Sequence, residues 1–286
     1  MNMRVSETAV PAPPAPRQLE DLGLHPVLLR DLLLKTMFRQ NLSTAAEVSR
    51  GMCLPLPLAQ ELIDIARAQK LVEATGTLRG SGSSEMGFQL TESGKARALD
   101  ALSQSEYHGA APVPLDAYRE QVRRQSVRNI RITPERLKAA MGHLILPEGF
   151  LDELGPAITS GRSVLMYGPP GNGKSSIAEG IRQALGDTIW VPRAVEYAGQ
   201  VIAVFDPIVH TPAEEEGETG SSGLRLAGSR HDRRYIRCKR PAVMTGGELT
   251  LDMLDLRYNP VARTYQAPLQ MKATGGVFIV DDLGRQ

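Results

Sequence analysis

The chain has 286 residues, 42% of them apolar and 5% aromatic, and its 33 Lys and Arg against 32 Asp and Glu leave a net charge of +1. That length accommodates two domains with cores of their own, and the near-neutral balance excludes a chain-wide polyanion-binding surface while leaving room for local clusters. The two cysteines, Cys53 and Cys238, match no metal or redox spacing and imply free thiols in a reducing compartment. No apolar run approaches the roughly 18 residues of a spanning helix, so a cytoplasmic protein without membrane contact is expected. Residues 1–18, rich in Pro and Ala and lacking an apolar signal core, predict a disordered tail.

Structure is expected from Leu19. His25-Pro26 followed by Val27 to Lys35 predicts a helix with Pro in its first turn. Thr44 and Glu47, spaced as a capping box, open a short second helix ending near Gly51. A third helix, Leu56 to Lys70, carries apolar Leu58, Leu62, Ile63, Ile65 and Ala66. Strand-like runs Leu71–Ala74 and Phe88–Leu90 flank a Gly/Ser tip at Gly80–Ser84, and Thr91 to Lys95 opens a last helix.

Three helices followed by a hairpin resemble a winged helix. The phrase Phe88-Gln89-Leu90-Thr91-Glu92-Ser93-Gly94-Lys95-Ala96 looks like the end of the wing in that family, and the unit is placed at 19–107. Between Arg17 and Asp100 ten basic residues balance ten acidic ones, and the third helix sets Glu61 and Asp64 against Arg67 and Lys70. Phosphate neutralisation supplies most nonspecific DNA affinity. The reading therefore favours docking to a protein partner, with DNA binding as the alternative.

His108 to Pro114 is a Pro/Ala-rich break that opens a basic linker, 108–140. Between Asp116 and Lys138 seven basic side chains face three acidic ones. They form either a solvated helix face or a contact with a neighbouring subunit or polyanion. The apolar run Gly142 to Pro147, either a wall of an adenine pocket or plain core, leads into a helix from Glu148 to Ile158.

The chemistry begins with Gly168, Pro169, Pro170, Gly171, Asn172, Gly173, Lys174 and Ser175, which fit G-x-x-x-x-G-K-[ST]. Glycines allow the tight turn, and the free N–H groups of the following helix favour an anion. Lys174 supplies a point charge for β- and γ-phosphates, and Ser175 offers a hydroxyl to Mg²⁺. Ser163 to Tyr167 predicts a buried strand entering the loop, and Ser176 to Leu185 has helical spacing. Strand, loop and helix together predict a nucleotide site spanning Gly168 to Ser176.

A second half-site is predicted at Val277-Phe278-Ile279-Val280-Asp281-Asp282, a hydrophobic strand ending in acid. Asp281 is expected to hold Mg²⁺ opposite Ser175, and Asp282 to orient the attacking water, with Lys174 completing the catalytic set. Here the sequence resembles the AAA+ ATPases, from about Arg131 onward: the loop Gly168–Ser175 is close to that family's, and Ala273 to Asp282 looks like the phrase around its second motif. The resemblance implies a three-layer α/β/α P-loop NTPase core over 141–286, a ring-forming homo-oligomer, and ATP hydrolysis that remodels a protein partner. Two features depart from the pattern. The family normally has Glu at the place of Asp282, and its sensor, arginine finger and helical lid are not found before Gln286, so the sequence is expected to be the first part of a larger module. A DNA-bound ATP-dependent regulator and a nonhydrolysing nucleotide switch stand as alternatives.

More than a hundred residues separate the two motifs, and the surplus over two βαβ steps predicts an insertion at about 195–245. Within it Gln200 to Pro207 is a strand candidate, and Thr211 to Leu224 an acidic mobile loop. Arg230 to Arg240 predicts a partly exposed basic strand, paired with that loop or reserved for substrate or subunit contact. Ala242 to Met244 and a helix near Leu249 to Leu256 return the chain to the core.

Overall fold

A computed structural model describes residues 10–79, 84–130, 132–167, 173–213 and 231–281. The chain is mixed α/β, and its buried apolar residues fall into three clusters.

The first cluster is built from local signals. Helix α1 (Pro26–Gln40) starts where the His25 ring accepts the Val27 N–H. Helix α2 (Ala45–Met52) starts at a reciprocal cap: Thr44 Oγ1 accepts the Glu47 N–H at 3.2 Å, and Glu47 Oε2 accepts the Thr44 N–H at 3.1 Å. Helix α3 (Leu56–Ala68) buries Leu58, Leu62, Ile63 and Ala66 and leaves Ile65 at the surface. Strands β1 (Val72–Arg79) and β2 (Ser84–Leu90) pair antiparallel, longer than the sequence pattern suggests, and residues 80–83 of the predicted tip lie outside the described residues. Thr91 then caps α4 (Glu92–Gln104) by accepting the Gly94 N–H. Gly94 permits the close approach of this helix, because a Cβ there would stand 1.9 Å from the Leu71 carbonyl oxygen. Leu33, Leu34, Met52, Leu54 and Ile63 fill the space between these elements.

The remaining elements follow as β3 (Val113–Pro114), α5 (Leu115–Arg124), α6 (Pro134–Met141), α7 (Phe150–Thr159) and α8 (Lys174–Leu185). After them come β4 (Thr188–Pro192), β5 (Ala194–Tyr197), β6 (Gln200–Ala203), β7 (Tyr235–Lys239) and β8 (Ala242–Thr245). The last are β9 (Arg257–Asn259), β10 (Thr264–Gln266), α9 (Leu269–Lys272) and β11 (Val277–Val280). Strands β3-β5-β6-β10-β9 form one mixed sheet in that order, and β4 pairs antiparallel with β7. Their inward residues, Ile189, Val191, Val195, Ile202 and Cys238, join Val113 and Tyr118 in the second cluster. The start of the predicted linker, through Val113 and Tyr118, thus contributes to this core. The third cluster packs α6, α7 and α8 through Leu137, Met141, Leu154, Ile158, Ile181 and Leu185.

Several expectations need correction. Residues 10–18 are not a disordered tail: Pro13 and Pro16 are buried, and the Pro13 carbonyl accepts the Asp232 N–H at 2.8 Å. The helix expected at Leu249–Leu256 is only a 3-10 turn over Leu251–Leu254, with Leu251 and Leu256 exposed, so no apolar face holds a longer helix. The basic strand is real, as β7, but two of its neighbouring cations are inside the protein. Arg234 is clamped by Asp232 and donates to the Pro112 carbonyl at 3.1 Å and the Leu22 carbonyl at 3.4 Å. Arg240 pairs with Asp187. The acidic loop, from residue 214 to 224, lies outside the described residues.

Candidate nucleotide site

The site assembles around the first turn of α8. Gly173 precedes it with φ of 72°, a left-handed conformation that disfavours any residue with a Cβ. Lys174 opens the helix, and Ser175 and Ser176 follow on its exposed first turn. Strand β11 runs parallel to β8, and the ladder continues past its end, where the Asp281 N–H donates to the Thr245 carbonyl at 2.7 Å. This register delivers the Asp281 side chain to the helix. Ser175 Oγ donates to Asp281 Oδ2 at 2.9 Å, across 106 residues of sequence.

The start of β11 is fixed by contact. The Val277 N–H donates to the Pro241 carbonyl at 2.9 Å, and a Cβ on Gly276 would stand 2.0 Å from that same oxygen. Only glycine lets the two chains run this close. Gly276 lies within the phrase Ala273 to Asp282, where a Gly-Gly pair ahead of an apolar run is a visible signal of close backbone approach.

A cleft of about 1050 Å³ opens beside this junction. Val127, Ile158, Val164, Leu165, Ala178 and Phe278 give it apolar walls, and Lys174, Ser175 and Asp281 give it a polar end. Arg128, one of the linker cations, and Arg162, to which the sequence pattern assigns no role, also line it. A mostly apolar cleft with a few convergent polar groups is the usual form of a small-molecule site.

Two expectations about the walls change. The stretch Ser163–Tyr167 forms no ladder among the described residues, and Leu165 and Tyr167 are 75% and 90% exposed, so it is not the buried strand expected. It lines the cleft together with β11, whose ladder is made with β8 alone among the described residues, and Met166 packs on the third cluster. Where α/β/α layering is expected, the sheet among the described residues is the two-stranded parallel pair β8–β11. The run 142–147 is not part of the cleft wall: Leu144 and Leu146 pack on the third cluster and Ile145 points fully into solvent.

Of the predicted site residues, Gly173, Lys174, Ser175, Ser176 and Asp281 are therefore brought together. Gly168, Pro169, Pro170, Gly171, Asn172 and Asp282 lie outside the described residues. Among the described residues no group of three or more His, Cys, Asp or Glu side chains converges as a metal cage. Ser175 and Asp281 instead offer one hydroxyl and one carboxylate. These are hard oxygen donors of the type Mg²⁺ takes, and Mg²⁺ completes its octahedron with waters and phosphate oxygens rather than a full protein cage.

No helix among the described residues is long and apolar enough to cross a membrane. No protein-family model and no curated protein matches this sequence.

Proposed function

We propose that this chain is an ATP-binding AAA+ module that hydrolyses ATP with Mg²⁺ to remodel a protein partner. In this reading α8, β8 and β11 belong to a P-loop NTPase core, and the α1–α4 unit with its β1–β2 hairpin is a winged-helix docking module. One observation carries it: a P-loop serine and the acid at the end of a distant apolar strand meet at 2.9 Å.

The residues divide the work by chemistry. The first-turn N–H groups of α8 and the Lys174 ammonium attract phosphate oxygens. Ser175 and Asp281 would hold Mg²⁺, which neutralises charge on the phosphates. Asp282 would orient the attacking water, since phosphoryl transfer needs positioning and charge neutralisation above all. The apolar walls of the cleft suit a purine base. Ring assembly and action on a protein partner are what the family resemblance implies.

Protein docking is favoured over DNA reading by the surface of α3. Its exposed Arg67 is paired with Asp64 at 3.0 Å, and Glu61 stands exposed beside them, so the helix offers little net positive charge to phosphate.

The test is nucleotide affinity of the full chain and of Lys174→Ala by calorimetry in Mg²⁺. The variant should lose binding by at least about a hundredfold, consistent with the loss of a charge-assisted contact worth roughly 3 kcal/mol. Micromolar affinity retained by a folded variant would remove the site assignment. Phosphate release then separates a turning-over enzyme from a nucleotide switch.

A further inference from the structure

The amino-terminal segment Val10-Pro11-Ala12-Pro13-Pro14-Ala15-Pro16 lies along the outside of the second cluster. Its deepest burial recurs three residues apart: Pro13 and Pro16 are buried, Val10 and Ala15 are half-buried, and Pro11, Ala12 and Pro14 are exposed. A polyproline II helix has three residues per turn, so positions 10, 13 and 16 fall on one face. The segment presents itself as such a helix would.

Its carbonyls are read one after another. Trp190 Nε1 donates to the Val10 carbonyl at 3.4 Å, and Gln121 Nε2 to the Pro11 carbonyl at 3.3 Å. The Asp232 N–H donates to the Pro13 carbonyl at 2.8 Å, and Pro14 makes a bridge with His231. The Trp190 and His231 rings sit 4.8 Å apart at 43°, an aromatic platform on this surface. The donors are held in place from behind. Gln121 Nε2 also donates to Gln125 Oε1 at 3.1 Å. Gln125 in turn exchanges two hydrogen bonds with the Trp190 backbone, at 3.0 and 3.1 Å. Both glutamines are buried.

An aromatic groove with side-chain N–H donors aimed at backbone carbonyls is how proline-rich peptides are recognised, because the carbonyls of a chain without free N–H groups are its accessible polar atoms. We propose that the groove formed by Gln121, Trp190, His231 and Asp232 is a binding site for proline-rich segments, held here by the chain's own residues 10–16 and open to a proline-rich peptide from a partner. The tethered segment competes at an effective concentration on the order of millimolar, so the intact chain takes an outside peptide only weakly.

Trp190 is the chain's one tryptophan, which makes the groove directly observable. The experiment titrates a fluorescein-labelled peptide copying residues 10–17 into the full chain and into a chain lacking residues 1–17, following anisotropy and Trp190 emission. Truncation should shift Trp190 emission to the red. The peptide should bind the truncated chain saturably, about tenfold or more tighter than the full chain, and reverse the shift. A peptide with alanine at every proline should not bind. A truncated chain with unchanged circular dichroism that ignores the peptide, or binding that Trp190→Phe and Gln121→Ala leave unaltered, overturns the proposal. Should truncation prevent folding, the full chain carrying Pro13→Gly and Pro16→Gly takes its place. Unchanged Trp190 emission and unchanged peptide affinity in that variant would overturn the proposal equally.

Discussion

Arg240 and Asp187 form an ion pair that ties together the two clusters flanking the candidate nucleotide site. The guanidinium Nη2 donates to Asp187 Oδ2 at 2.8 Å, and Nε donates to the other carboxylate oxygen. Its Nη1 donates to the carbonyls of Gln125, at 2.9 Å, and of Gly275. One side chain, 2% exposed, thus touches the turn after α8, the end of α5 and the residues that launch β11. Removing one partner of such a pair leaves the other charge buried without compensation, a loss of about 3–5 kcal/mol. Arg240→Ala and Asp187→Ala should each lower the unfolding free energy measured in urea by that much, and the double variant should cost less than their sum. Arg240→Lys should not rescue, because an ammonium cannot serve the carboxylate and two divergent carbonyls together.

Gly276→Ala tests whether the register of β11 sets the site. The added methyl would meet the Pro241 carbonyl oxygen at 2.0 Å, a backbone atom that cannot swing aside. Strand β11 must then shift against β8 and carry Asp281 away from Ser175. Mg²⁺-dependent ATP affinity should fall about tenfold or more although Gly276 is remote from phosphate, while affinity measured in EDTA should change much less. Equal losses under both conditions would point to general unfolding instead.

These sites differ in how visible they are along the chain. The caps at Thr44 and Thr91, the buried stripe of α3 and the start of α8 depend on neighbours within a few residues, so their elements can be placed from sequence within a few positions. The Ser175–Asp281 pairing was anticipated because two local motifs each implied the same ion. The strand order β3-β5-β6-β10-β9 was not, since pairing across long separations leaves no periodicity to read. Counting charge misjudged Arg234 and Arg240 as a surface patch, because composition does not say which cations find buried carboxylates. The proline-rich segment was read as disordered for a related reason. Its stabilising partners, Trp190 and Asp232, lie far along the chain.

The α2 cap makes a pH-dependent prediction. Hydrogen bonds from the Ser43 N–H above all, then the Ser43 hydroxyl and the Thr44 N–H, hold the Glu47 carboxyl below its ordinary value, against a smaller opposing effect of burial. A carboxyl depressed in the folded state stabilises at pH above its unfolded value, near 4.3, and that contribution is lost as pH falls through the lowered folded value. The melting temperature of Glu47→Gln should therefore lie below that of the parent at neutral pH, and the gap should close in acid. Thr44→Ala, which removes the other half of the box, should cost about 1 kcal/mol and retain its deficit at low pH.

His210 makes the opposite-charge case. It is 1% exposed, stacked on Phe205 at 5.6 Å between ring centres. Nδ1 accepts the Asp206 N–H at 2.9 Å, which places the proton on Nε2, where it donates to the Lys272 carbonyl at 2.9 Å. The charged groups facing the ring are Asp206 and Lys272, themselves paired at 2.7 Å. Burial pushes the imidazole pKa down, more than the Lys272 carbonyl and Asp206 hold it up. A second ring proton would also face the Asp206 N–H and break that bond. Because the folded value is depressed, the unfolded chain takes up the proton first. Stability is then complete above the unfolded value of about 6.5 and is lost as pH falls from there through the folded value. The parent should melt several degrees lower at about pH 5 than at about pH 7.5, and His210→Gln, which cannot titrate, should lose much of that difference. Since His210 and Lys272 anchor α9 just ahead of β11, acid should also weaken Mg²⁺-dependent ATP binding in the parent more than in His210→Gln. An identical pH slope in both proteins would place the sensitivity elsewhere in the molecule.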